Sequence, residues 1–132
     1  VIVVDTSTLV SFFLGANHSG PQVRKLLGTH TSWAAPPHQP VEMLSVLRGL
    51  VAGGKISAMH AEDVLGRWAA TFIQELPFTA AVRGRVWELR HNLSSYDAAY
   101  VAVAELNELP LVTGDKRLAA APGIRCELRL VQ

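Results

Sequence analysis

Hydrophobic and polar positions along this chain follow two different periods. Val1 to Val4, Trp33 to Ala35 and Leu111 to Thr113 are apolar or nearly so throughout and too short for helices. Runs of that kind read as strands buried on both faces of a sheet. Between them, apolar residues recur every three or four positions, the spacing of helices with one inward face. From Pro40 to Val51, the residues Val41, Leu44, Leu47 and Val51 predict such a face, widened by Met43, Val46 and Leu50, and Gly53-Gly54 is the expected stop. Ser57 is expected to cap a long amphipathic helix with the stripe Leu65, Trp68, Phe72 and Leu76, closed by Pro77. Helices are also predicted from Ser7 to Leu14, from a Ser19 cap through Pro21 to about Leu27, and from about Thr79 to His91. The last should turn Val82, Val86 and Leu89 inward and gather Arg83, Trp87 and Arg90 on another face. A strand fragment is expected at Phe78, and an edge strand over Arg125 to Leu130 with Cys126, Leu128 and Leu130 on one face.

The stretch Ser94 to Leu118 is the most informative. Tyr96 to Ala104 is almost all apolar or small, and a helix apolar all round is a buried helix. Ser94-x-x-Asp97 has the form of a capping box at its head, and Asn107 and Pro110 stop it. The run Leu111 to Thr113 then empties into Asp115, ahead of a short helix from Lys116 to Ala120. The first strand likewise empties into Asp5. Strands alternating with helices predict an α/β fold: one domain over residues 1–132, with a central, mostly parallel sheet of four or five short strands flanked by helices. Functional groups in such sheets gather beyond the carboxyl ends of the strands. Asp5 and Asp115 are therefore expected on one rim.

Composition narrows this picture. At 49% hydrophobic and 17% charged, the chain is not of the disordered class. Twelve Lys plus Arg against eleven Asp plus Glu leave a net charge of +1, which carries no nucleic-acid signature by itself. The single cysteine, Cys126, cannot close an internal disulfide, so a reducing compartment is permitted. No apolar run approaches the ~18 residues of a membrane span. These features read as a cytoplasmic protein with no membrane partner. His18, His30, His38, His60 and His91 show no paired helical spacing, so no zinc site is expected.

Four acids stand in strongly apolar surroundings: Asp5, Glu42, Asp97 and Asp115. Singly, each reads as an ordinary helix-head or turn residue. Together, on one rim, they are like charges that need compensation. The apolar stretches around Asp5 and Asp97 contain no Lys or Arg, and Lys116 and Arg117 head an exposed helix. A hard divalent cation is the other compensating partner, and oxygen donors favour magnesium or manganese. Such an ion activates water and stabilises charge on a phosphodiester. Arg48 and Arg117 are the basic residues that are candidates for phosphate contacts.

Four segments carry a resemblance: Val3-Val4-Asp5-Thr6-Ser7; Pro37 through Val41-Glu42-Met43-Leu44-Ser45-Val46-Leu47-Arg48; Ser95-Tyr96-Asp97-Ala98-Ala99-Tyr100-Val101-Ala102-Val103-Ala104-Glu105; and Leu111-Val112-Thr113-Gly114-Asp115-Lys116-Arg117-Leu118. No single motif is specific, but the ordered set spans essentially the whole chain. It resembles the PIN-domain ribonucleases, and within them the VapC-type toxins of bacterial toxin–antitoxin pairs. The resemblance implies Asp5, Glu42, Asp97 and Asp115 as catalytic, metal-binding acids, with Ser7 and Thr113 supporting them through hydroxyl hydrogen bonds. It also implies a magnesium or manganese cofactor, an RNA substrate, a small cognate antitoxin and a homodimer. Ser45 stands where relatives often carry Asn. Two other readings remain at this level. One is a Rossmann-like phosphatase or phosphotransferase with Asp5 as nucleophile, although Ser7 occupies the place of the second Asp those enzymes usually carry. The other is a domain that binds RNA or a partner without cutting.

Overall fold

A computed structural model describes residues 1–29 and 32–132; His30 lies outside them. The elements in chain order are β1 (Ile2–Val4), α1 (Thr6–Leu14), α2 (Pro21–Thr29), β2 (Trp33–Ala35), α3 (Gln39–Ala52), α4 (Ala58–Ala69), β3 (Ile73–Glu75), α5 (Ala80–Glu88), α6 (Ser95–Leu106), β4 (Leu111–Thr113), α7 (Lys116–Ala120) and β5 (Leu128–Leu130). The strands form one five-stranded sheet in the order β3-β2-β1-β4-β5. Every pairing is parallel, with Val3 opposite Ala34 on one side and opposite Leu111 on the other.

The period of two along each strand divides the core into two layers. Ile2, Val4, Trp33 and Val112 face a layer built by Leu9, Val10 and Phe13 of α1, Val23 and Leu27 of α2, Met43 and Leu47 of α3, and Val64 of α4. Val3, Ala34 and Leu111 face the opposite layer, built by Val82 of α5 and the buried body of α6 from Ala98 to Ala104. The alanines of α6 let it pack closely, and Ser94 caps it by accepting the Asp97 N–H at 3.2 Å.

The three central strands follow the expected boundaries, and the edges differ. The predicted long helix after Ser57 stops at Ala69, and β3 takes Ile73 to Glu75. Phe72, expected in the helix stripe, is 81% exposed, while Leu76 is buried in the α5–α6 layer. Parallel pairing with Trp33 to Ala35 satisfies the backbone of this segment, so the apparent helical spacing beyond Trp68 is coincidental. Phe78 itself lies outside any strand. On α3 the inward face is Gln39, Met43 and Leu47, whereas Val41 and Leu44 are exposed. Ser19 donates its hydroxyl to the Gly15 carbonyl at 2.9 Å and closes the preceding turn instead of capping α2. The last strand is confined to Leu128–Leu130, and Cys126 precedes it. Among the described residues no helix is long and apolar enough to cross a membrane.

Candidate active site

The strand order reverses between β1 and β4, and this is the crevice where parallel α/β sheets place ligands. Asp5 and Asp115 lie just past the carboxyl ends of these two neighbouring strands. α3 leaves the carboxyl end of β2 and brings Glu42 in its first turn to the same rim. α6 returns to the start of β4, so its own first turn, with Asp97, also begins at that rim. Topology alone thus gathers all four acids.

Local hydrogen bonds fix three of them. Asp5 caps α1: its Oδ1 accepts the Thr8 N–H at 3.0 Å, and its Oδ2 accepts the Thr113 hydroxyl at 2.5 Å. The same Thr113 oxygen accepts the Asp115 N–H at 3.0 Å, tying the ends of β1 and β4 together. Asp115 caps α7 through Oδ1, which accepts the N–H groups of Arg117 and Leu118. Glu42 Oε1 accepts from Thr6 at 3.0 Å and from Tyr100 at 2.8 Å, with His38 Nε2 at 3.3 Å. Thr6 and Tyr100 are themselves 2.6 Å apart. Two hydroxyls carry only two protons for those three edges, so one edge is always without a hydrogen bond. Gln39 Nε2 completes the network by donating to the Val4 carbonyl at 2.8 Å and to the Tyr100 oxygen at 3.3 Å.

The electrostatics separate the acids. Burial pushes the Asp5 carboxyl above the ordinary range; hydrogen bonds from Thr113 and Thr8 oppose this, and the charge of Asp115 adds to it. Burial also acts to raise Glu42, but the His38 imidazole 3.3 Å away and hydrogen bonds from Tyr100 and Thr6 outweigh it and hold that carboxyl low. Asp97 is raised by burial first, then by the charges of Asp115, Asp5 and Glu42 in that order, with only Ser94 working against them. That all three other acids act on Asp97 is the electrostatic signature of a shared rim.

The supporting groups only partly match expectation. Thr113 is fully buried and bonded to Asp5, but Ser7 is exposed and makes no side-chain hydrogen bond among the described residues. Thr6, Gln39 and Tyr100 were not foreseen. The available signal was Tyr100 as the one hydroxyl in the buried part of α6. Arg117 stands at the rim, its Nε 3.8 Å from Asp115 Oδ1. Arg48 lies six residues past Glu42 on exposed α3 surface, about 9 Å further along the helix axis.

The PIN-domain family model matches residues 2–124, a span that includes all four acids. The chain belongs to the PIN-domain family. Ribonuclease VapC1 of Mycobacterium tuberculosis is 38% identical over 130 residues, covering 98% of this chain and 97% of that protein. Among solved structures, the fold is similar to VapC20 of Mycobacterium tuberculosis, described as a sarcin–ricin loop cleaving toxin, with a TM-score of 0.65 at 20% identity over 91% of this chain and 94% of that one. It is also similar to VapBC-5 of Mycobacterium tuberculosis, described as a member of the VapBC family of toxin–antitoxin systems, with a TM-score of 0.61 at 20% identity over 99% and 97% of the two chains. The five-stranded, all-parallel sheet flanked by helices is thus a PIN-type α/β domain.

Proposed function

We propose that this PIN domain is an endoribonuclease toxin of the VapC type, hydrolysing RNA phosphodiester bonds at the rim formed by Asp5, Glu42, Asp97 and Asp115. The observation that carries the reading is the convergence of the four acids on one rim at a topological switch point, where burial and the other three carboxylates raise Asp97. Near-full-length similarity to a ribonuclease supports it.

The donor set fits a hard divalent cation. Among the described residues the only basic side chains paired with these carboxylates are His38 at Glu42 and the exposed Arg117 at Asp115. No three His, Cys, Asp or Glu side chains among the described residues stand close enough to hold an ion directly. Magnesium keeps several of its waters and needs only one or two carboxylates, so a rim of spaced acids suits it. Asp5, Asp97 and Asp115 would hold the ion together with its retained waters, and Thr6 and Tyr100 fix Glu42 beside them. Bound there, magnesium or manganese supplies neutralising charge at the phosphodiester and an acidified water. Thr113 keeps Asp5 and Asp115 in fixed register; both oxygens of Asp5 are held, by Thr8 and Thr113, whereas α7 holds only Oδ1 of Asp115.

A small antitoxin that delivers an Arg or Lys to the rim is the restraint that fits this charge. Exposed Val41 and Leu44 on α3 support a homodimer contact. The test is incubation of the purified protein with structured and single-stranded RNAs, with magnesium, with manganese and with chelator. Metal-dependent cleavage that Asp5→Asn abolishes is expected; undiminished cleavage in excess chelator overturns the metal reading. Stable phosphorylation of Asp5 would favour a phosphotransferase instead.

A further inference from the structure

Beside the acids lies a cleft that the hydrolytic chemistry does not use. Its walls are Pro37 and His38 ahead of α3, Phe78 ahead of α5, Val86 on α5, and Ser95, Tyr96 and Ala99 on the first turn of α6. The cavity is about 250 Å³, smaller than the pockets that take drug-sized ligands. Two of its rings are held open to solvent: Tyr96 is 64% exposed and Phe78 51%. Folding normally covers aromatic rings, and a cluster left open marks a contact surface. Two of the rings also pack together. His38 meets Tyr96 with centroids 5.7 Å apart at 51°, and packs edge-on against Tyr100 at 5.2 Å.

Its position is informative. Tyr96 immediately precedes Asp97 in the chain. His38 is a shared wall, touching the cleft with its ring and lying 3.3 Å from Glu42 through Nε2. The far wall is α5, where Arg83 sits one turn before Val86 on the same side of the helix, exposed and without a carboxylate partner among the described residues. The sequence of features across the surface is therefore acids, aromatic cleft, unpaired cation. A strand of RNA has matching parts: a reacting phosphate, a flat base beside it, and a further phosphate. Unstacked bases are recognised by stacking on Tyr, Phe and His, with polar edges read by nearby hydroxyl and imidazole groups. Exposed Ser95 supplies such a hydroxyl here, and the His38 ring is part of the wall.

We propose that this cleft is a nucleobase subsite, taking one unstacked base next to the scissile phosphate of single-stranded or looped RNA. The proposal rests on the ribonuclease reading and adds a residue-level source of substrate preference. Tyr96 is the principal stacking platform and Phe78 its opposite wall.

The test separates the two ideas. Short single-stranded RNAs carrying one 2-aminopurine are titrated in magnesium against protein bearing Asp5→Asn, which blocks hydrolysis without touching the cleft. Stacking quenches the probe fluorescence at one position of the RNA. In that background Tyr96→Ala should abolish the quench and weaken binding about tenfold, whereas Tyr96→Phe, which keeps the ring, should retain both. With otherwise wild-type protein, Tyr96→Ala should raise KM for RNA cleavage more than it lowers kcat. Normal cleavage with no quench at any position, or affinity within twofold after Tyr96→Ala and Phe78→Ala, overturns the subsite and leaves the nuclease standing. Quenching without cleavage by wild type keeps the subsite and removes the nuclease. A Tyr96→Ala variant that binds RNA normally but loses self-association in sedimentation overturns the proposal in favour of a protein contact.

Discussion

Neutralising Asp97 distinguishes an active-site acid from a residue that merely suits a helix head. Asp97→Asn preserves shape and leaves the Ser94 cap intact, because that hydrogen bond comes from the Asp97 backbone N–H. If Asp97 only complements the α6 dipole, the change costs ~0.3–1 kcal/mol. The electrostatics oppose this: burial and then the charges of Asp115, Asp5 and Glu42 raise its carboxyl. A carboxyl raised in the folded state binds protons more tightly there than when unfolded. Its favourable contribution is therefore complete below the ordinary value of 3.8 and is lost as pH rises toward the folded value. Above that window the wild-type charge destabilises the metal-free protein, and Asp97→Asn should melt higher in chelator. The advantage should vanish in acid.

Metal reverses the order. At free magnesium of ~100 times the dissociation constant, wild type gains about 2.7 kcal/mol. At roughly 3–5 °C per kcal/mol for a chain of this size, that is a rise in melting temperature of about 10 °C. A hundredfold loss of affinity in Asp97→Asn would leave ~0.4 kcal/mol, a shift of about 1–2 °C. Thermal melts of both proteins, with magnesium and with chelator at matched ionic strength and neutral pH, give the four values needed. A variant less stable than wild type in chelator, with an undiminished magnesium shift, refutes the assignment of Asp97 to the site.

Three further outcomes follow from the hydroxyl network and the lone thiol. Tyr100→Phe keeps the buried ring but removes the oxygen shared by Thr6, Gln39 and Glu42; it should cost ~1–3 kcal/mol by denaturant melts and lower kcat for RNA cleavage with little change in KM. Thr113→Val removes the bond to Asp5 and the acceptor for the Asp115 N–H, so ~1–3 kcal/mol and most activity should be lost, whereas Ser7→Ala should leave both nearly unchanged. Burial, with Glu105 nearby, pushes the Cys126 thiol up to about 11, so alkylation of the native protein near pH 7.5 should run on the order of a hundredfold or more slower than for an unfolded control.

What the sequence discloses follows from how local the determinants are. β1, β2 and β4 are buried on both faces, and that burial is written as uninterrupted apolar runs. β3 is an edge strand of Ile, Gln and Glu, half-exposed or exposed throughout, and carries no such run. Its neighbours Phe72 and Leu76 happened to extend a helical spacing, and only pairing with β2 overrides it. Asp5 and Asp115 were legible because each lies within two residues of a strand end. The hydroxyls around Glu42 were not: Thr6 and Tyr100 are separated by 94 positions and Tyr100 and Glu42 by 58, distances over which no periodicity speaks.

Burial opposes the charges of both Asp5 and Asp97, but only Asp97 lacks a structural role in return. Asp5 and Asp115 each cap a helix, so removing either costs a cap of roughly 0.5–2 kcal/mol whatever the chemistry of the rim. Glu42 is held low by the adjacent His38 imidazole and by the Tyr100 and Thr6 hydrogen bonds, and its charge is accommodated within the protein. Asp97 has no comparable support: its cap is made by Ser94, and the neighbouring carboxylates disfavour its charge. Structural need therefore accounts for three of the acids and not for the fourth. A charge that the fold opposes, held at the mouth of a parallel sheet among three others, is what a site awaiting an external cation requires.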